Sequence, residues 1–189
     1  MLKRKNNIVF VEDVHKYYVD GVEVPSVTTI LGSTIFKDKY NSVPDFVLQR
    51  AADFGSKVHR AIETHDIDGL NDNHIQRVID YLNLVKTHEI TELEHETLLA
   101  FNYDYAGTMD LLIEINGEKA LADIKTTSKL DLEYLSWQLS FYARAIDFKG
   151  KLYAFWIPAK RYGSPAFVEV ERKSDDEIDK ILKEYKEIS

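Results

Sequence analysis

Residues 107 to 128 read GTMDLLIEINGEKALADIKTTS, with Asp110 inside one apolar run and Asp123 and Lys125 inside the next. Charged side chains are rarely buried in full without a partner. Asn116-Gly117, between the two runs, suits a two-residue hairpin turn that needs positive φ at both positions. Counting outward from that tip, Ile115 pairs near Glu118 and Asp110 near Asp123, so the two carboxylates lie close across the ladder. Carboxylates so placed repel each other unless a cation lies between them. Asp123 and Lys125 are two apart and share a strand face. Two oxygen ligands and an ammonium therefore converge. Hard divalent cations such as Mg²⁺ take oxygen ligands. One or two of them can activate water and stabilise the leaving oxygen of a phosphodiester, and a neighbouring lysine can hold the water or the phosphate.

The elements that must position these groups follow from periodicity. Strands are expected over 8–11, over a hairpin at 15–24 turned by Asp20-Gly21, and over 91–101, 105–115, 118–124, 152–157 and 167–170. Pro25-Ser26 leads into VTTIL, with Gly32 as a stop. Pro44-Asp45 opens a helical stretch carrying Phe46, Val47, Ala51, Phe54, Val58, Ala61 and Ile62, and Gly55 suggests two helices meeting there. A second helix, roughly 72 to 88, sets Ile75, Val78, Ile79, Leu82 and Val85 on one face. A third runs from Leu132 to Phe148 with a stripe of Leu135, Leu139, Tyr142, Ala143 and Ile146. Ser174 with Glu177 forms a capping-box pattern before a last helix ending about Glu187. This order predicts a single α/β domain over 1–189, a mixed sheet flanked by helices with a small N-terminal β-hairpin region.

The chain has 189 residues, enough for one sizeable core, and no cysteine, which excludes disulfides, thiolate zinc sites and Cys-ligated iron–sulfur clusters. The start, MLKRKNNIVF, is basic without the apolar core of a signal peptide, and no stretch reaches the length of a membrane span. A cytoplasmic location is expected. The net charge of −8 argues against broad nucleic-acid binding, yet the charge is uneven. Residues 61 to 118 hold thirteen acids and two Lys/Arg, whereas 119 to 161 hold eight Lys/Arg and four acids.

GTMD, twelve intervening residues and DIK resemble the metal-binding signature of the PD-(D/E)xK nuclease superfamily, whose core is restriction-endonuclease-like. Three further stretches are similar to its RecB-type exonuclease branch, which includes phage exonucleases and the mitochondrial genome maintenance exonuclease. GSKVH at 55–59 resembles a Gly-x-x-x-His helix motif, QLSFY at 138–142 a Gln-x-x-x-Tyr motif, and VPSVTTIL at 24–31 a segment preceding the His helix. The four stand in the family's order over about residues 24 to 145. The resemblance implies that His59, Asp110 and Asp123 bind metal with the Ile124 backbone carbonyl as a further ligand. Lys125 would be catalytic, and Gln138 and Tyr142, four apart on one helix face, would contact substrate or brace the site. Glu96 resembles an acidic position on the preceding strand, but Glu94 competes for it and neither is assigned as a ligand. Iron–sulfur members of the branch carry four cysteines, so this chain resembles a cluster-free group.

Each residue also has a plainer reading. His59 alone reads as a structural histidine, and the downstream aspartates reverse that. Asp123 with Lys125 would be an ordinary surface ion pair, were the flanking Leu121, Ala122 and Ile124 not signs of a buried strand. Tyr142 fits core packing nearly as well as function. The expectation is a Mg²⁺- or Mn²⁺-dependent DNA exonuclease acting on single-stranded or free-ended DNA in recombination, repair or replication, with Lys125, Lys129, Arg144, Lys160 and Arg161 as phosphate contacts. The alternatives are an inactive nucleic-acid-binding or assembly module of the same fold and a structure- or site-specific endonuclease. Polarity, strand preference and cleavage of RNA are left open.

Overall fold

A computed structural model describes residues 7–189; most of the basic start read from the sequence, residues 1–6, lies outside the described residues. Eight strands and five α-helices follow in the order β1 (Ile8–Val11), β2 (Lys16–Val19), β3 (Val22–Val24), α1 (Val27–Ser33), α2 (Asp45–Thr64), α3 (Asp72–Thr87), β4 (Thr91–Phe101), β5 (Tyr105–Ile115), β6 (Glu118–Lys125), α4 (Leu132–Ala145), β7 (Lys151–Trp156), β8 (Ala166–Val170) and α5 (Asp175–Ile188). The fold is α/β. Its centre is a mixed sheet, as the sequence order of elements predicts, with five strands in the order β4-β5-β6-β7-β8. All neighbours in it are antiparallel except β6 and β7, which run parallel with α4 between them in sequence. The mixed character follows from loop length: a two-residue turn can only return a strand antiparallel, whereas a helix-long crossover brings one back parallel.

Helices cover both faces. On one side α1, α4 and α5 pack Ile30, Leu31, Leu135, Leu139, Phe141, Ile178 and Leu182 against Leu99, Met109, Leu112, Leu121 and Leu152 of the sheet. On the other, α2 and α3 pack Val58, Ala61, Ile62, Val78 and Tyr81 against Leu111, Ile113, Ala122, Ile124 and Phe155. Because both faces are covered, β5 and β6 lack the polar alternation of a half-solvated sheet, which is why Asp110 and Asp123 interrupt apolar runs. The small sheet β1-β2-β3 packs Tyr17, Val19 and Val24 against Ala106. Its turn at Asp20 (φ 51) and Gly21 (φ 83) and the turn at Asn116 (φ 53) and Gly117 (φ 77) both have positive φ twice, the primed hairpin form expected from the residues. Ser174 and Glu177 form the reciprocal capping box at the start of α5.

Four local expectations are corrected. Gly32 does not stop VTTIL, which is helical as α1 through Ser33 and capped by the Ser26 hydroxyl. Gly55 does not divide α2, a single 20-residue helix, because an isolated glycine costs a helix only about 1 kcal/mol and packing of the following turns outweighs it. In α3 the buried face carries His74, Arg77, Val78 and Tyr81, while Ile79 and Leu82 are exposed. Apolar spacing placed Val78 and Val85 on the packed side but missed His74, Arg77 and Tyr81, whose large side chains complete the buried face. The helix α4 ends at Ala145 rather than Phe148, where Asp147 adopts φ 52.

Gly107, the first residue of GTMD, has a steric role. A Cβ built there would lie 2.6 Å from Cε1 of Tyr142, so the strand and the ring touch only because the side chain is absent. Gly107→Ala is expected to destabilise the fold by about 1–3 kcal/mol, the usual cost of forcing extra volume into a packed interior. Urea denaturation checks this: adding Tyr142→Ala to the Gly107→Ala chain should recover part of the loss, and no recovery would place the strain elsewhere.

Candidate metal centre

The site lies where β5 and β6 part. Their paired register ends at Leu111 with Ala122, so Asp110 and Asp123 stand side by side at the mouth of the splay. The backbone N–H of Ile124 has no ladder partner there and instead donates to Asp110 Oδ2 at 2.8 Å. On the other side of β5, the pairs His95 with Leu111 and Thr97 with Met109 set Glu96 opposite Asp110. Three carboxylates, from three adjacent strands, therefore meet in one row across the sheet.

His59 reaches the row from α2. Its turn is anchored by the buried Val58 and Ile62 on either side, which fixes the direction of the ring. Its Nε2 lies 2.9 Å from the Ile124 carbonyl oxygen. Its Nδ1 lies 3.6 Å from both Glu96 Oε1 and Asp110 Oδ2. One ligand atom each from His59, Glu96 and Asp110 falls within 4.8 Å of the others, a spacing that could hold a metal ion.

Glu96 is the member that sequence spacing did not assign. Glu92, Glu94 and Glu96 alternate and would share one face of a regular strand. A β-bulge between Glu92 and Glu94 breaks that alternation, and Glu96 itself adopts φ 42 in mid-strand. Left-handed backbone in a non-glycine residue is strained by about 1–3 kcal/mol and collects at functional sites. The kink turns Glu96 toward His59, while Glu94 accepts from the Thr97 hydroxyl at 3.1 Å and Glu92 from the Tyr81 hydroxyl at 2.9 Å. The signal in the sequence was the run of acids before an apolar strand and the resemblance of Glu96 to an acidic position there, for which Glu94 competed.

Asp123 is placed differently from the other two carboxylates. It is 1% exposed, and its Oδ2 lies 2.7 Å from Lys125 Nζ. Its Oδ1 is buried without a hydrogen-bond partner. Burial pushes the Asp123 carboxyl up to about 6, with Asp110 adding to the rise and Lys125 opposing it. For Lys125 burial works the other way, but Asp123 and Asp110 outweigh it and hold the ammonium above its ordinary value. For His59, burial lowers the pKa, but Asp110, Glu96 and Asp123 together push it up to about 9 against Lys125. An imidazole held protonated by carboxylates marks a place where positive charge is favoured. Together with the unpartnered Asp123 oxygen, this is what a set of cation ligands requires: hard oxygen donors and one nitrogen.

No protein-family model matches the chain. No curated protein matches it either. Among solved structures the chain is similar to the crystal structure of SSO0001, at 16% identity over 88% of this chain and 76% of that one, with a TM-score of 0.53. At that identity the likeness bears on the fold alone, which in this chain sets helices on both faces of a mixed central sheet.

Gln138 and Tyr142 sit behind the row, not in front of it. Both are buried in α4, Gln138 Nε2 donates to the Tyr142 hydroxyl at 3.1 Å, and Gln138 Oε1 has no partner. Of the two roles the resemblance implies for them, bracing fits this burial, since Tyr142 packs on Gly107 three residues from Asp110. The expected basic contacts divide. Lys129, Lys160 and Arg161 are exposed, the last two in a short turn past β7, whose Trp156 pairs with Lys125. Arg144 is engaged elsewhere, with Asp179 Oδ1 at 2.6 Å and the Asp175 carbonyl at 3.1 Å. Among the described residues, no helix is long and apolar enough to cross a membrane.

Proposed function

We propose that the protein is a metal-dependent DNA exonuclease of the PD-(D/E)xK superfamily, RecB-like branch, acting on single-stranded or free-ended DNA in replication, recombination or repair. The observation that carries this reading is the meeting of His59, Glu96 and Asp110 within 4.8 Å, beside the buried Asp123–Lys125 pair. A structural ion pair would need no further carboxylates beside it, and a bare metal-storage site would need no lysine.

His59, Glu96 and Asp110 would hold Mg²⁺ or Mn²⁺ with Asp123 beside them, while the Ile124 carbonyl, the further ligand the resemblance implies, faces the other ring nitrogen of His59 and would orient the imidazole. When bound, such an ion supplies the acidity that makes water a nucleophile and the charge that steadies the leaving oxygen. The chain's own groups do the rest. Lys125 is held by Asp123 at 2.7 Å with a quarter of its side chain still exposed, so its remaining N–H groups can hold the attacking water or a phosphate oxygen. Asp110 ties the Ile124 backbone through its N–H, which fixes the direction of the Ile124 carbonyl. His59 must give up its proton to act as a ligand, and the surrounding carboxylates lose their protonated partner as it does so. Lys129, Lys160 and Arg161 offer exposed phosphate contacts on the Lys125 side. Such work belongs in the cytoplasm of a bacterial or phage-infected cell.

End-labelled single-stranded and duplex DNA, incubated with Mg²⁺, Mn²⁺ or EDTA, tests the reading. Metal-dependent loss of label, with a covalently closed circle left intact, is the expected result. Nicking of the circle would make the enzyme an endonuclease. A folded protein inert on every substrate with both metals would end the nuclease reading.

A further inference from the structure

The chain between α1 and α2, residues 34–44, is stitched to the first turn of α4. Lys39 Nζ lies 2.9 Å from Asp131 Oδ2, and Asp131 in turn caps α4 through the Tyr134 N–H at 3.0 Å. The same ammonium sits 3.7 Å from the centre of the Tyr134 ring, 5.3 Å from that of Phe36 and 5.4 Å from that of Tyr40. Phe36 meets Tyr134 edge-on at 5.1 Å. A lysine paired with a carboxylate and faced by three aromatic rings is immobilised. Three rings from two separate elements are thereby held as one wall.

The strand β6 ends at Lys125 and α4 begins at Leu132, so the first turn of α4, with Tyr134, stands at the end of the sheet that carries Lys125. The Tyr134 phenol is pushed up to about 12, chiefly by burial, with Lys125 opposing the rise and Tyr40 and Asp123 adding to it. Phe36 and Tyr134 are partly buried against the core. Tyr40 is 52% exposed, and just beyond it Phe46, at the start of α2, is 71% exposed. Single exposed rings are ordinary, but the Lys39 ammonium orients that of Tyr40, which leaves a fixed face on which another ring can lie. Lys37 and Lys129 are exposed on the flanking segments, with Asp38 and Glu133 exposed beside them.

Resting on the nuclease reading, we infer that Tyr40 is a stacking platform for an unpaired nucleobase of the strand whose phosphate lies at Lys125, with Lys39, Phe36 and Tyr134 as its positioning residues. A base in a duplex has its faces covered by neighbours and cannot stack there, so the platform selects single strands or frayed ends. Every base has a π-face, so the preference is for unpaired geometry and not for sequence.

A double-mutant cycle between protein and DNA tests this. Binding of a fluorescent single-stranded oligonucleotide is measured in Ca²⁺ by anisotropy, with one abasic nucleotide walked along the strand. Tyr40→Ala should weaken binding about 5- to 100-fold and Tyr40→Phe should leave it nearly unchanged. At one position the abasic substitution should cost the parent a similar factor and cost Tyr40→Ala nothing. Blunt duplex should bind Tyr40→Ala and the parent alike. If the parent binds single strands but Tyr40→Ala binds as tightly, or the two losses simply multiply at every position, the platform is wrong and the nuclease reading stands. If the parent neither binds nor cuts DNA, both fall.

Discussion

Asp110→Asn should lower DNA cleavage by about 10³-fold or more while leaving the protein folded. The carboxylate stands at the centre of the row, opposite Glu96 and beside Asp123, and lies 3.6 Å from His59 Nδ1. Asparagine keeps an oxygen that can accept from the Ile124 N–H, so the splayed strands remain tied. It removes the charge on which the cation depends, and a neutral amide is a poor ligand for a hard ion in competition with water. Loss of the ion removes both water activation and charge stabilisation, each worth several kcal/mol of barrier. The measurement pairs a cleavage rate with Mn²⁺ titration by calorimetry. A variant that keeps metal affinity but loses cleavage would move Asp110 from ligand to another role, and one that keeps both would remove it from the site.

Lys125→Met should have two effects with different pH signatures. Cleavage should fall about 10²- to 10³-fold, as when a group aimed at developing charge is lost. Stability should become strongly pH-dependent. Asp123 is pushed up to about 6, first by burial and then by Asp110, and Lys125 is what opposes that rise. An unfolded aspartate titrates near 3.9. Between those values the native chain holds a proton that the unfolded chain has released, so native stability falls as pH rises through the interval. Without Lys125 the native value climbs further, and the loss steepens and extends toward neutral pH. Methionine fills much of the lysine stem's volume, so packing changes little. Near pH 4 the variant and the parent should unfold at similar denaturant concentrations. At pH 7.5 in EDTA the variant should be less stable by up to about 2 kcal/mol, since each pH unit over which only the variant keeps the Asp123 proton is worth about 1.4 kcal/mol and the parent releases it near 6. Parallel stability curves across this range would mean that the pair is solvated and contributes nothing.

What the sequence by itself determined was local. Asn116-Gly117 could only turn in the primed form, so it fixed the register that brings Asp110 beside Asp123. The two-residue spacing of Asp123 and Lys125 put them on one strand face and within 2.7 Å. Ser174 with Glu177 set the start of α5. Each depends on backbone geometry over a few residues, which residue type controls. The tertiary structure decided the rest. His59 meets a carbonyl 65 positions away because Val58 and Ile62 seat α2 on the sheet. Glu96, not Glu94, joins the row because a bulge and a left-handed residue override the alternation of β4. The buried arc of α3 was set by the sheet it packs on, and the covering of Gly107 by Tyr142 placed that tyrosine behind the site. These outcomes depend on which surfaces meet, and no spacing within one element carries that information.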